Sequence, residues 1–147
     1  MTKKYIGTKI ITAWAANDKN DRPGYGVLYE DGYQSWSPKE TFDAAYRAIE
    51  GDVQALTFGD AIHMLKMGEK VARAGWNGKG MWLALTLSIH DIPRDGTTMP
   101  VYRLTLDDSG VGATALPWIG MKTSDNKFVP WLASQTDMLA EDWIVVQ

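Results

Sequence analysis

The sequence predicts an α+β fold with a mostly antiparallel sheet and short helices. Three observations carry that expectation. Short apolar runs are separated by glycine- and turn-rich connections, two tight-turn signals stand at Asp31-Gly32 and Ser124-Asp125-Asn126, and the helix-start motifs open only brief amphipathic stretches. At 147 residues one compact domain or two small modules fit, and roughly two thirds of the unfolded surface can be buried without covalent staples.

In chain order, Tyr5 to Ala15 is extended in character and Asn17 to Pro23 is turn-rich. Tyr25 to Tyr29 and Tyr33 to Trp36 read as a hairpin closed by Asp31-Gly32. Ser37-Pro38-Lys39-Glu40 combines an N-cap serine, proline at the first helical position and a capping-box glutamate, so a helix is expected to start there. Its buried stripe is Phe42, Ala45, Tyr46 and Ile49. One hairpin and one helix bury little alone, so residues 1–50 are expected to be an accessory module that docks on the remainder, with Trp14 and Trp36 packing there. The charge pattern agrees: 7 basic and 7 acidic groups before Gly51, 8 and 11 after it.

Residues 57–147 form the second expected domain. Thr57-Phe58-Gly59-Asp60 is a weaker capping signal, followed by Phe58, Ala61, Ile62 and Leu65 on one helical face and a stop at Gly68. Lys70 to Arg73 and Met81 to Leu87 read as strands joined by Gly75-Trp76-Asn77-Gly78-Lys79-Gly80. Ser88 to Pro100 reads as a polar loop, Val101 to Leu106 as a strand and Asp107 to Thr114 as a turn-rich connection. Ile119 to Lys122 pairs with Lys127 to Trp131 as a hairpin, Ser134-Gln135-Thr136-Asp137 opens a helix of one or two turns, and Trp143 to Val146 is the last strand.

Composition removes several function classes. With no cysteine there is no disulfide framework, thiolate metal site or thiol nucleophile, and a reducing cytoplasm is the expected location. No segment has the ~18 apolar residues of a membrane span. A net charge of −3 without a Lys/Arg block argues against long nucleic acid as a partner. The surplus is aromatic: seven tryptophans, six tyrosines and three phenylalanines exceed what packing a chain of this length needs.

Catalytic patterns are sparse. His63 and His90 lack the helical spacing and neighbouring carboxylates of a metal site, and His63 reads as a partly exposed helical residue. Asp137 and Asp142, beside Glu141, offer an acid/base pair, but Asp137 also falls where a helix's first turn favours negative charge. Nucleophile elbow, P-loop and dinucleotide fingerprint are all missing, and no cofactor is expected.

The aromatic residues converge with polar ones. Trp76 and Asn77 on a glycine loop present a π face and an amide edge, the two features that stack and read a purine. Pro130-Trp131 offers a second face, and Thr123, Ser134, Gln135 and Asp137 offer short polar groups at turns. Trp143, in the closing apolar strand, reads as core, while Trp82 and Trp118 are open to either role.

Three segments resemble a known phage family, the second family of Thoeris anti-defence proteins. They are Phe58-Gly59-Asp60-Ala61-Ile62 to Gly68, Lys70-Val71-Ala72-Arg73-Ala74-Gly75-Trp76-Asn77-Gly78-Lys79-Gly80-Met81, and Met121-Lys122-Thr123 with Val129-Pro130-Trp131-Leu132-Ala133-Ser134-Gln135-Thr136-Asp137 through Trp143. The resemblance spans about Thr57 to Val146. It implies a sponge, not an enzyme: members bind cyclic ADP-ribose isomers made by bacterial TIR-domain defence enzymes, some also hold cyclic dinucleotides, and they assemble as homotetramers with nucleotide pockets between protomers. On this chain it implies base stacking by Trp76 and Trp131 and polar readout by Asn77, Thr123, Ser134, Gln135 and Asp137. Arg73 is assigned either to a ligand phosphate or to a surface salt bridge. Residues 1–50 are additional to the short members, and Ser88 to Trp118 matches the family poorly.

Energetics allow such capture. Nanomolar affinity needs about −12 kcal/mol, while stacking contributes roughly 1–3 kcal/mol per base. One exposed tryptophan is insufficient, but two aromatic faces and several aligned donors in a pre-formed cleft between symmetric copies suffice. The net negative charge requires Arg73, Lys79, Lys122 or backbone amides to reverse the local potential for a pyrophosphate. A hydrolase working through Asp137 or Asp142, and a protein-interaction module using the aromatic loops, are the competing readings.

Overall fold

The computed structural model describes residues 1–86 and 116–147. The loops expected at Ser88 to Pro100 and Asp107 to Thr114, the strand at Val101 to Leu106 and His90 lie outside them. Two compact units are present, Met1–Arg47 and Ala48–Gln147, and they give the expected α+β architecture, with every strand pair among the described residues antiparallel.

The first unit is a three-stranded sheet, β1 (Thr12–Ala15), β2 (Gly24–Leu28) and β3 (Gln34–Pro38), followed by helix α1 (Lys39–Ala45). Trp14 and Trp36 flank Gly26 in register on one face of the sheet. The absence of a side chain on β2 is what seats them. A Cβ on Gly26 would meet the Trp14 ring at 2.4 Å, and one on Gly24 would meet the Trp36 ring at 2.4 Å. The other face buries Val27 and carries Tyr25, which stacks on Phe42 of α1 at 4.2 Å, and Phe42 in turn stacks on Tyr46 at 4.9 Å.

The β2–β3 hairpin closes through Tyr29 N–H to Tyr33 O and Gly32 N–H to Tyr29 O, with Gly32 at φ 85, so Asp31-Gly32 ends the tight three-residue loop between the strands. One local expectation is corrected: the capping box at Ser37 does not form. Ser37 is held opposite Tyr25 in the β2–β3 ladder, so Pro38 is the N-cap, no side chain caps α1, and the helix stops at Ala45. Ile49, expected on the α1 stripe, instead packs against the core of the second unit.

That second unit holds helix α2 (Phe58–Lys66) and a five-stranded sheet, order β7-β6-β5-β4-β8. Its strands are β4 (Lys70–Arg73), β5 (Trp82–Thr86), β6 (Trp118–Lys122), β7 (Phe128–Pro130) and β8 (Trp143–Val146), and the one-turn helix α3 (Gln135–Met138) precedes β8. Thr57 and Asp60 complete a reciprocal capping box at the start of α2, and Gly68 at φ 91 ends it. The helix buries Ala61, Met64 and Leu65 against Leu56, Val71, Leu83 and Trp143. Trp143 is fully buried, as its place in an apolar strand predicts, and is the largest side chain in the core. The β6–β7 hairpin turns over Ser124-Asp125-Asn126, with Asn126 at φ 67.

Candidate functional site

Strand β4 ends at Arg73, where the glycine loop begins, and β7 ends at Pro130, just before Trp131. Both chain ends converge on Trp143. The Trp76 ring meets Trp143 edge-on at 5.6 Å and 75°, and Trp131 meets it at 6.1 Å and 83°. Trp76 and Trp131 also touch each other, at 6.5 Å with planes 61° apart, and Phe58 packs against Trp131 and Trp143 at 6.2 and 5.5 Å. Trp76 and Trp131 are each half-buried. No parallel slot opens between two rings inclined at 61°, so a base cannot be sandwiched between them inside one chain.

Beside the indoles lies a charged cluster drawn from distant parts of the sequence. Arg73 Nε donates to Asp142 Oδ1 at 2.8 Å, Nη2 to Asp142 Oδ2 at 3.4 Å and Nη1 to Asp137 Oδ1 at 3.0 Å. The Arg73 and Asp137 side chains are 17% and 14% exposed, so these contacts form largely out of water. Hydrogen bonds from Arg73, with the Gly75 amide adding to them, hold the Asp142 carboxyl below its ordinary range. For Asp137 burial pushes upward, but bonds from the Ser134 side chain and backbone, from Arg73 and from the Trp76 indole outweigh it, and this carboxyl too titrates low. The two aspartates raise Arg73 in turn.

Asp137 is also the helix cap that its position suggested. Ser134 Oγ accepts from the Asp137 amide at 3.1 Å, and Asp137 Oδ2 accepts from the Ser134 amide at 3.2 Å and from its hydroxyl at 2.7 Å. The Trp143 indole N–H donates to the Asp137 carbonyl at 3.0 Å, so α3 is fastened to the aromatic floor as well. Arg73, Trp76, Trp131, Ser134 and Asp137 thus meet around Trp143.

Thr123 stands apart, at the tip of the β6–β7 hairpin. Its hydroxyl bonds Asp125 and Lys127 within the turn. The hairpin does reach the glycine loop, since Ser124 lies beside Gly78 and the Lys122 amine donates to the Gly80 carbonyl at 3.0 Å. The hydroxyls of Thr123 and Ser134 are therefore engaged in local turns. Asn77 and Gln135 are exposed, and neither amide has a hydrogen-bond partner among the described residues. Lys79, on the same loop as Asn77, is exposed as well.

Two features were not assigned to the site from sequence. Asp142, read there only as a possible acid or base, is the second anchor of Arg73, and Phe58, read as a helix-face residue, is part of the aromatic cluster. The signal for Asp142 was faint: its arginine lies 69 residues earlier in the chain, with β5, β6 and β7 between them.

A family model for the Thoeris anti-defense 2-like domain matches residues 56–146. A curated relative from Bacillus phage SP01, named Thoeris anti-defense 2, is 41% identical over 91 residues, which is 62% of this chain and 94% of the relative.

Proposed function

The chain belongs to the Thoeris anti-defense 2-like family and so to phage anti-defence, and from that premise we propose that it sequesters a cyclic ADP-ribose-type immune signal inside the infected cell without cleaving it. The observation that carries this reading is the pair of half-buried indoles, Trp76 and Trp131, braced on the buried Trp143 beside two uncommitted amides. Indoles fixed from behind lose little entropy when a base stacks on them, so more of the stacking energy appears as affinity.

Trp76 and Trp131 stack on the ligand. Asn77 and Gln135 read its polar edges, with Thr123, Ser134 and Asp137 as further polar contacts. Because the two indoles do not form a slot within one chain, a second copy supplies the opposing wall, in keeping with a homo-oligomer, a tetramer being the assembly proposed. Lys79 and Lys122 supply the positive charge that a pyrophosphate requires.

Support for binding without turnover comes from the carboxylates. A general acid at neutral pH needs a pKa near 7, whereas Asp137 and Asp142 are both held below the ordinary carboxylate range by Arg73 and its neighbours. The test is direct. Protein incubated with glycocyclic ADP-ribose, then heated and filtered, is expected to release the ligand intact; recovery of ADP-ribose would identify a hydrolase and refute sequestration. Cyclic dinucleotides tested the same way show whether the site takes a second ligand class.

A further inference from the structure

The guanidinium of Arg73 uses all three of its nitrogens on Asp137 and Asp142. One positive charge facing two carboxylates leaves this cluster net negative, and at contact distance in a partly buried setting that residual charge opposes a phosphate. The same cluster grips the start of the glycine loop. The Ala74 amide donates to the Asp142 carbonyl at 2.9 Å, the Gly75 amide to Asp142 Oδ2 at 2.9 Å, and the Trp76 amide to the Arg73 carbonyl at 3.2 Å. Three successive amides leading into Trp76 are thus fixed by two residues. A Cβ at position 75 would come within 2.8 Å of Asp142 Oδ2, so a side chain there would displace the carboxylate that accepts from the Gly75 amide. From the other side Asp137 holds Arg73.

We propose that Asp142 and Arg73 are positioning residues for the binding loop: they orient Trp76 for the ligand, and Arg73 does not itself meet the ligand's phosphate. For the identity of the ligand this rests on the proposed function; for the geometry of the loop it does not. Two consequences separate it from direct phosphate contact. An amide in place of the Asp142 carboxylate has one acceptor oxygen where two are used, so it loses either the short bond from Arg73 Nε or the one from the Gly75 amide. Lysine in place of Arg73 keeps the charge but lacks the planar fork that spans two carboxylates.

The experiment uses the full chain with Asp142→Asn, Arg73→Lys and the double variant, measured by calorimetry against glycocyclic ADP-ribose. Each protein is also labelled with 5-fluorotryptophan, the Trp76 resonance being assigned by Trp76→Phe. Each single change is expected to weaken capture about tenfold, the scale of one lost charge-assisted hydrogen bond. The double variant is expected to be no weaker than either single one, and the Trp76 signal is expected to shift in ligand-free protein while the signals of Trp14 and Trp36, in the first unit, hold. Capture by Asp142→Asn as tight as or tighter than wild type would mean that freeing Arg73 helps the ligand, and would overturn the proposal. So would an unmoved Trp76 resonance. If the wild-type protein captures no nucleotide, the proposed function fails, and the Trp76 signal with the exchange rate of the Gly75 amide still decides the positioning role.

Discussion

In the first unit Trp14 and Trp36 lie across Gly26 and Gly24, flat on the backbone of one strand, and the Trp36 indole N–H is satisfied by the Ala16 carbonyl at 2.8 Å. In the second unit Trp76 and Trp131 stand edge-on against a third indole and come from a loop and a strand end, next to exposed amides and a charged cluster. Exposure does not distinguish the two places, because Trp14 is itself 46% exposed. What differs is the company. A tryptophan over glycine fills the gap left by the missing side chain, whereas rings supported from behind and flanked by uncommitted donors are arranged for something outside the chain.

The comparison breaks most severely at Trp143. Trp143→Ala removes the floor under both site indoles and leaves a large cavity, with an expected loss of about 3–5 kcal/mol. Trp14→Ala forfeits a cross-strand contact worth roughly 0.2–1 kcal/mol. Urea denaturation of the two variants checks the contrast, and comparable losses would show that the aromatic cluster is not the keystone of its unit. Next in size is the separation of capture from folding. Trp76→Ala and Trp131→Ala are each expected to weaken capture of glycocyclic ADP-ribose by about 1–3 kcal/mol, roughly 5- to 150-fold, while Trp14→Ala leaves it unchanged. Wild-type capture by both site variants would move the binding surface elsewhere.

A smaller effect follows from the charges. Asp137 and Asp142 have folded-state pKa values below their ordinary ones. Their contribution to stability is therefore complete above about pH 4, the unfolded value, and is lost as pH falls through the depressed folded value. The stability gap between wild type and Asp142→Asn is expected to be widest near neutral pH and to shrink below pH 4, since acid protonates in the wild type the group that the variant already lacks. Urea midpoints from pH 2 to pH 7 measure it, and a gap constant with pH would mean that Asp142 does not act through its charge.

Most of the architecture was legible because strand and helix periods report burial directly. The β6–β7 hairpin, the α2 stripe and the buried Trp143 all follow from patterning, and the closing turn of α3 follows from Ser134 and Asp137. The charged cluster was harder. Arg73 and Asp142 are 69 residues apart, and nothing local to either reveals that antiparallel pairing of β4 with β8 sets Arg73 opposite Trp143. Trp76 and Trp131 were identifiable as aromatic groups at turns, but their mutual edge contact, which closes any slot within one chain, depends on a third indole supplied by another strand.

Helix starts sharpen the comparison between the units at its smallest scale. Ser37-Pro38-Lys39-Glu40 carries the fuller capping signature, yet Thr57-Phe58-Gly59-Asp60 and Ser134-Gln135-Thr136-Asp137 are the sequences that cap. The reason is what precedes each helix. Ser37 is still paired in β3, where the ladder fixes its backbone, while Thr57, just past the Leu56–Trp143 bridge, and Ser134 are themselves unpaired and turn their hydroxyls onto the third amide of the helix. Thr57→Ala is accordingly expected to cost about 1 kcal/mol, with loss of the two bonds of the Thr57 hydroxyl, which donates to Asp60 Oδ2 at 2.8 Å and accepts from the Asp60 amide at 3.2 Å. Ser37→Ala is expected to stay within about 0.5 kcal/mol of wild type, as an ordinary surface change does. Thermal denaturation of the two variants side by side is sufficient: equal losses would mean that Ser37 caps α1 in solution, and that the β3 ladder yields at its last residues to let it.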